Sequence, residues 1–247
     1  MTDTEDYIED NPQLSVTYTW KGCRVITDIT TDKGTRIEMV DRPIWGLSCF
    51  MDKVVQSCEL DEHRYHGSFV ICGARLIPKT VTNPKMCIFG GGEGALARDI
   101  FHYLPTTESI HMIEWDRGVV DLFQQRFPQW AKGAWDDSRL TVEYEDAFSI
   151  CKEERTNRYD MVLVDLFDIE ESDLTKWKDF IRSASRWTRG SFAMYIGTQA
   201  PSAKTNGGIS RKLRRTLKDC GFMTKFKSFY IPSFHGYAVF LLGKRLV

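Results

Sequence analysis

The sequence predicts an α/β fold, a doubly wound and mainly parallel sheet preceded by a small antiparallel β-domain. Three observations predict it. From Met86 onward, short apolar runs alternate with amphipathic segments, as repeated βα units require. The first of those runs, Lys85-Met86-Cys87-Ile88-Phe89, opens directly into the glycine-dense turn Gly90-Gly91-Gly92-Glu93-Gly94-Ala95. Upstream, from Ser15 to Glu59, the chain is rich in β-branched and aromatic residues, and no long helical pattern interrupts it.

The elements follow in order. Residues 1 to about 12 are polar and acidic and predict a loose terminus. Strands are expected at Val16–Trp20, Arg24–Thr27, Arg36–Val40 and Gly46–Met51, with turns at Lys21-Gly22, Asp32-Lys33-Gly34 and Asp41-Arg42-Pro43. Asp61 to Leu76 carries Tyr65, Phe69, Cys72 and Leu76 on one stripe and predicts a helix. Further strands are expected at Met86–Phe89, Ser109–Ile113, Leu140–Tyr144, Met161–Val164, Ser191–Ile196, Thr224–Tyr230 and Tyr237–Leu242. Helices are expected at Ala95–Leu104, Gly118–Phe127, Leu174–Trp187 and Ser210–Cys220. Only Ile231 to Gly236 separates the last two strands, too little for a crossover, so they should pair antiparallel. The division expected is a β-strand domain over residues 1–60 and a Rossmann-like domain over residues 61–247.

Charge and composition narrow the function classes. The 247 residues hold 33 Lys and Arg against 34 Asp and Glu, interspersed, for a net charge of −1. Nothing in that balance points to nucleic acid or an anionic membrane. The densest basic run, Arg211-Lys212-Leu213-Arg214-Arg215, falls on an expected helix with Ile209, Leu213 and Leu217 as its apolar stripe, and reads as a solvated face. No run of 18 apolar residues exists, and the N-terminus is acidic without an apolar core, so neither a membrane span nor a signal peptide is expected and the location expected is cytoplasmic. Seven cysteines without a C-x-x-C pair argue against a disulfide framework or a zinc site. His63 and His66 lie three apart with no second ligand pair, so no metal is expected.

The glycine turn is where chemistry is expected. A strand running through glycines into a helix brings backbone close to a bound nucleotide or nucleoside. Glu114 closes the next strand, 22 residues on from Gly92, where a carboxylate can accept both hydroxyls of a ribose. Glu93, Glu114, Asp146 and Asp165 all fall at carboxyl ends of expected strands, the edge at which such sheets bind ligands.

Longer patterns identify a resemblance that runs from about Arg36 to Leu242. Met51-Asp52-Lys53-Val54-Val55-Gln56-Ser57-Cys58-Glu59-Leu60-Asp61-Glu62-His63-Arg64-Tyr65-His66-Gly67 resembles the pattern L-D-G-x-x-Q-x-S/T-x-x-D-E-x-x-Y-H/Q-E of the spermidine synthase family, the polyamine aminopropyltransferases. The turn Gly90–Ala95 followed by Arg98-Asp99 is similar to that family's G-G-G-D-G-G and its R-E pair. Glu145-Asp146-Ala147, Asp165-Leu166-Phe167-Asp168-Ile169 and Ile231-Pro232-Ser233-Phe234-His235 resemble its G-D-A/G, D-S/T-S/T-D-P and I-P-S/T-Y-P segments.

The resemblance implies a Rossmann-like fold of the S-adenosylmethionine-transferase type. It also implies a co-substrate, decarboxylated S-adenosylmethionine, rather than a permanently bound cofactor, a small polyamine partner, and a homo-oligomer, dimer or tetramer. The donor is a sulfonium bearing an ammonium and the acceptor is also cationic, so a site lined with carboxylates suits both. Carried over by position, Gln56, Gly90, Gly92, Glu93, Glu114, Asp146 and Ala147 hold the donor, with Glu114 on the ribose, Asp146 on the adenine amino group and Glu93 on the ammonium. Tyr65, His66, Asp168 and Phe234 hold the acceptor, and Asp165 with Tyr65 is catalytic. The reaction is an in-line displacement at the carbon next to sulfur by a neutral amine. Asp165 acts either as a base or only to orient an amine already neutral, and the sequence leaves both open.

The departures concentrate on the acceptor side. Leu166-Phe167 replaces two small hydroxyl residues and implies a tighter, more apolar floor; Ile169, Gly67 and Phe234 replace proline, glutamate and tyrosine. These changes leave room for an S-adenosylmethionine-dependent N-methyltransferase or a non-catalytic relative on the same scaffold.

Overall fold

Why these segments become strands and helices is clearest at the central sheet. The structure, a computed structural model, describes residues 4–12, 14–153, 158–201 and 208–246. Strand β6 (Lys85–Gly90) alternates Met86 and Ile88 toward one face with Cys87 and Phe89 toward the other, all of them fully buried. Side chains on both faces need cover, and helices supply it. On one side lie α1 (Glu62–Ala74) and α2 (Ala95–Tyr103), through Phe69, Val70, Leu96 and Ile100. On the other lie α5 (Leu174–Ala184) and α6 (Gly208–Asp219), through Trp177, Phe180, Leu213 and Leu217.

With β7 (Ser109–Glu114), β8 (Leu140–Tyr144), β9 (Tyr159–Asp165), β10 (Thr188–Gln199), β11 (Phe222–Ile231) and β12 (Gly236–Arg245), the sheet has the order β11-β12-β10-β9-β6-β7-β8. The pairs β6–β7, β7–β8, β6–β9 and β9–β10 are parallel, and β12 runs antiparallel to both β10 and β11. The chain therefore steps outward from β6 in one direction through β7 and β8, and in the other through β9 and β10. The order reverses between β6 and β9, and a crevice opens there at the carboxyl ends. This is the doubly wound, Rossmann-like α/β architecture expected, terminal hairpin included. Helix α3 (Arg117–Arg126) and the short α4 (Ala147–Ile150) follow β7 and β8.

A second, five-stranded antiparallel sheet precedes it: β1 (Glu5–Asn11), β2 (Val16–Thr30), β3 (Arg36–Arg42), β4 (Gly46–Met51) and β5 (Val54–Cys58), in that order. Ile37, Met39 and Cys49 of this sheet share an apolar cluster with Val119, Leu122 and Phe123 of α3.

Three expectations need correction. Residues 5–11 are not a loose terminus but a strand paired with β2; residues 1–3 lie outside the described residues. The inward positions of β1 are Tyr7, Glu9 and Asn11, so its alternation is hidden by polar side chains. Each finds a partner: the Tyr7 hydroxyl donates to Glu38 at 3.0 Å, Glu9 accepts from Trp20 Nε1 at 2.6 Å, and Asn11 Nδ2 donates to the Phe234 carbonyl at 3.3 Å. Lys21-Gly22 does not turn the chain. Gly22 takes φ +67° and β2 continues through it, pairing with β1 as far as Cys23 and with β3 from Arg24 onward. The helix expected to reach Trp187 stops at Ala184, and Ser185–Trp187 tightens into a 3-10 turn.

Candidate active site

The crevice at the sheet's reversal is a cavity of about 610 Å³, and all twelve residues singled out from the sequence line it: Gln56, Tyr65, His66, Gly90, Gly92, Glu93, Glu114, Asp146, Ala147, Asp165, Asp168 and Phe234. The backbone makes room for it at Gly90. That residue sits at φ +87°, and a Cβ there would lie 1.9 Å from the carbonyl oxygen of Asp165 across the β6–β9 pair. Only glycine allows the two strand ends to close to that distance. The next turn ends with Gly94 in the left-handed region, where it serves as the N-cap of α2.

At one end of the cavity the acids are already engaged by backbone. Glu114 accepts from Gly92 N at 3.0 Å and from Asp116 N at 3.1 Å, one bond to each carboxylate oxygen. Burial raises its pKa against those donors. Each oxygen retains a second lone pair for a ligand. Asp146 caps α4, accepting from Phe148 N at 3.1 Å and Ser149 Oγ at 2.8 Å. Gln56 donates to the Val54 carbonyl at 3.1 Å, which fixes its amide at the cavity wall. Trp115, half exposed beside Glu114, also lines this end, and Lys33 stands 5.1 Å above its ring.

The deep part of the cavity is different, because its acids are buried against one another. The Tyr65 hydroxyl donates to Asp165 Oδ1 at 2.5 Å. Burial pushes the Asp165 carboxyl above its ordinary pKa, opposed by the charge of His66 and by the Tyr65 hydroxyl. Burial and then the charge of Asp165 push the Tyr65 phenol well up, so it stays a donor. Glu93 accepts from Ser57 Oγ at 2.8 Å, and Ser57 in turn accepts from Trp130 Nε1 at 3.0 Å. Burial lifts Glu93 from 4.5 to about 7, with His66 and Ser57 pulling the other way. His66 bridges the set, with Nδ1 2.9 Å from Glu62 and Nε2 4.0 Å from Glu93.

Aromatic rings shape the remaining wall. Tyr65 packs against Tyr195 and Phe234 at centroid distances of 5.6 and 5.4 Å. Phe234 rides on a 3-10 turn (Pro232–Phe234) that Asp61 clamps, accepting from Ser233 N at 2.7 Å and Ser233 Oγ at 2.8 Å. Asp168 lines the cavity just beyond Asp165. One expectation about shape changes. Phe167 does not tighten the floor; it is half exposed at the mouth, against Phe148 at 5.7 Å and Trp177 at 5.2 Å. Leu166 is the residue that packs inward, toward the cluster under β9.

Sequence reading missed Glu62, Ser57, Trp130, Tyr195 and Trp115 as parts of this site. Glu62 sits one turn before His66 on the same helix, a spacing that could have signalled the pair. Ser57 and Trp130 meet across 73 residues, and nothing local in the sequence announces that contact.

The comparisons with known proteins bear on the family and the fold. The family described as spermine/spermidine synthase domain matches residues 62–245. A polyamine aminopropyltransferase of Pyrobaculum calidifontis is 31% identical over 204 residues, covering 80% of this chain and 59% of that protein. One of Pyrobaculum arsenaticum is 32% identical over 216 residues, 84% of this chain and 71% of that protein. Against several of the curated relatives the chain spans only about half of their length, 47% and 42% in two cases. Among solved structures, a spermidine synthase in complex with the transition-state analogue AdoDATO superposes with a TM-score of 0.84 at 20% identity, over all of this chain and 83% of that one. The spermidine synthase of Thermotoga maritima gives 0.82 at 19% identity, over all of this chain and 82% of that one. At those identities the two structures speak for the fold, and the sequence matches carry the kinship: this chain belongs to the spermine/spermidine synthase family.

Proposed function

We propose that the chain transfers an aminopropyl group from decarboxylated S-adenosylmethionine to a linear diamine such as putrescine, releasing methylthioadenosine. The observation that carries this reading is one cavity lined by Glu93, Glu114, Asp146, Asp165 and Asp168, with the Tyr65–Asp165 hydrogen bond in its wall. Carboxylates in that number suit a cationic donor and a cationic acceptor, not a phosphate. In this reading Glu114 holds the ribose through its free lone pairs, and Gln56, Asp146 and Ala147 frame the nucleoside. Glu93 meets the donor's ammonium. Asp165, fixed by Tyr65, orients the attacking amine in line with the bond to sulfur, and its raised pKa brings it closer to a proton acceptor's working range. Phe234 and Tyr195 give the acceptor's methylenes an apolar wall that offers a substituted chain few hydrogen bonds. A cytoplasmic homo-oligomer completes the proposal.

The pair His66–Glu93 supports a second reading, methyl transfer from S-adenosylmethionine to an amine. A Glu93 that is half protonated near pH 7, beside a histidine, repels a methionine carboxylate less than a bare carboxylate does. Affinity for the two donors separates the readings. Tighter binding of the decarboxylated donor, with kcat/KM highest for unbranched diamines in a panel of amines, is expected. Preference for the carboxylated donor, with methylated amine as product, would replace the first reading by the second.

A further inference from the structure

The first turn of α1 places Glu62 and His66 four residues apart, the spacing at which helical side chains meet. On a surface such a pair contributes a few tenths of a kcal/mol, but here both side chains are buried, 11% and 6% exposed. Burial makes the pairing obligatory, because an unpaired charge in that position is costly. Glu62 cannot turn away. Arg98 grips it in a bidentate pair at 2.9 and 2.7 Å, and Arg98 is itself held by Asp99 at 2.7 Å and by the Trp130 carbonyl at 2.7 Å. The ring's other nitrogen faces Glu93 at 4.0 Å. The ring is hydrogen-bonded to Glu62 through Nδ1, and the second carboxylate, too far from Nε2 for a hydrogen bond, favours the cationic form through its charge.

We infer that His66, clamped between Glu62 and Glu93, favours the uncharged form of the reacting amine, and that Glu62 is the residue that positions His66 for that task. The inference rests on the aminopropyl reading above. Its starting point is a difficulty in that reading. A carboxylate beside an arriving amine stabilises the ammonium, the form with no lone pair to attack. Asp165 alone would therefore hold its substrate in the unreactive state. A cation on the same wall offsets that pull. The Tyr65 ring that carries the hydroxyl bonded to Asp165 lies 5.1 Å from the His66 ring, centroid to centroid. A like charge about 6 Å away, at an effective dielectric near 20, moves an amine's pKa down by about two units. Two units take an amine from about 10.4 to about 8.4, so near pH 7.5 the neutral fraction rises from about one in a thousand to about one in ten, and the donor's carbon meets a free lone pair about a hundredfold more often.

The groups facing His66 are Glu62 from its own helix, Glu93 from the glycine turn and Asp165 from the end of β9; Arg98 of α2 lies behind Glu62. Burial disfavours the cation and the three carboxylates favour it. They prevail, leaving His66 with a pKa above its ordinary value. His66 is accordingly cationic below and around neutral pH and loses that charge as the pH rises through its elevated pKa.

The test reads protons rather than activity alone. Protein loaded with methylthioadenosine is titrated with putrescine by calorimetry at pH 7.5, in two buffers of different ionisation heat. About a tenth of a proton released per amine bound is expected at that pH for the native chain, and less than half as much for His66→Gln, with Glu62→Gln shifting in the same direction. In turnover at saturating diamine, the acidic limb of kcat should move up by about two pH units in His66→Gln while the donor's Kd stays within threefold. Carbon-detected titration of the His66 ring in the native chain should show a pKa above 6.5. Proton release unchanged by His66→Gln, no amine bound at all, or a ring titrating below 6.5 would each overturn the inference. Failure to turn over any amine would refute the proposed reaction, and the proton count would still decide the role of His66.

Discussion

Replacing Glu93 by Gln should make the protein more stable, and only at the upper end of the pH range. The Glu93 carboxyl is buried, 9% exposed, and its pKa stands at about 7 against 4.5 when free in solvent. A carboxyl whose pKa is raised by folding binds its proton more tightly in the folded chain. Stability is therefore highest below about 4.5, declines between about 4.5 and 7 where only the unfolded chain has ionised, and is lost in full above about 7, where both states are ionised. The difference of about 2.5 units corresponds to about 3 kcal/mol at pH 8, at about 1.4 kcal/mol per unit. Glu93→Gln removes the charge, keeps the length, and leaves an amide oxygen to accept from Ser57 Oγ. The variant should exceed the parent by about 1 kcal/mol or less near pH 5 and by about 3 kcal/mol at pH 8, or about 6–12 °C in Tm at pH 8 for a chain of this size. Thermal unfolding followed by circular dichroism from pH 5 to 8.5 is the assay. A gap between the two proteins that does not change with pH would refute the reasoning, as would a variant no more stable than the parent at pH 8. Under the proposed reading, decarboxylated S-adenosylmethionine should close most of that gap, since its ammonium stabilises an ionised Glu93 and finds no such partner in the Gln variant.

Asp165→Asn should hold the donor's Kd within a few-fold and lower kcat by about a hundredfold or more, measured with saturating diamine; turnover near the parent's would remove Asp165 from the chemistry. Glu114→Gln should do the reverse, weakening donor binding, because a charge-assisted contact to the ribose becomes neutral. Gly90→Ala should cost several kcal/mol, since its Cβ would meet backbone oxygen at 1.9 Å from a residue at φ +87°. A melt of the Ala variant within about 5 °C of the parent would mean that the β6–β9 ends separate more easily than their geometry implies.

Much of the fold could be read from periodicity alone. The βα units were legible because Met86 to Phe89 and Met161 to Val164 are continuous apolar runs, and a strand covered on both faces has no other pattern available. Strand β1 was not legible because its buried side is Tyr7, Glu9 and Asn11, which reads as a solvated tail until Trp20, Glu38 and the Phe234 carbonyl are brought to it. The site's location was legible for a topological reason. Acids at strand ends in a doubly wound sheet must converge on the same edge. What each acid is bonded to was not. Asp146 is spent on a helix cap, Glu62 on Arg98, and Glu93 leans on a serine from the other sheet; each of these depends on contacts made only in the folded chain.

That division of labour among the acids bears on how the site would work. Glu62 is held at about 2 because, although burial opposes ionisation, hydrogen bonds from His66 and Arg98 outweigh it; its charge is fixed and already compensated. Asp146 caps a helix with both oxygens. Burial pushes the carboxyls of Glu93 and Asp165 upward, as it does Glu114's, but these two are the ones that feel the charge of His66. They are the groups whose charge the protein supports least, so they gain most when a cation arrives. In the proposed reaction one meets the donor's ammonium and the other faces the amine that must not remain an ammonium. The same physical state, a buried carboxylate short of partners, would then serve binding at Glu93 and chemistry at Asp165. The element that separates the two outcomes is the histidine between them, because its charge neutralises neither carboxylate fully and is felt by any amine that enters.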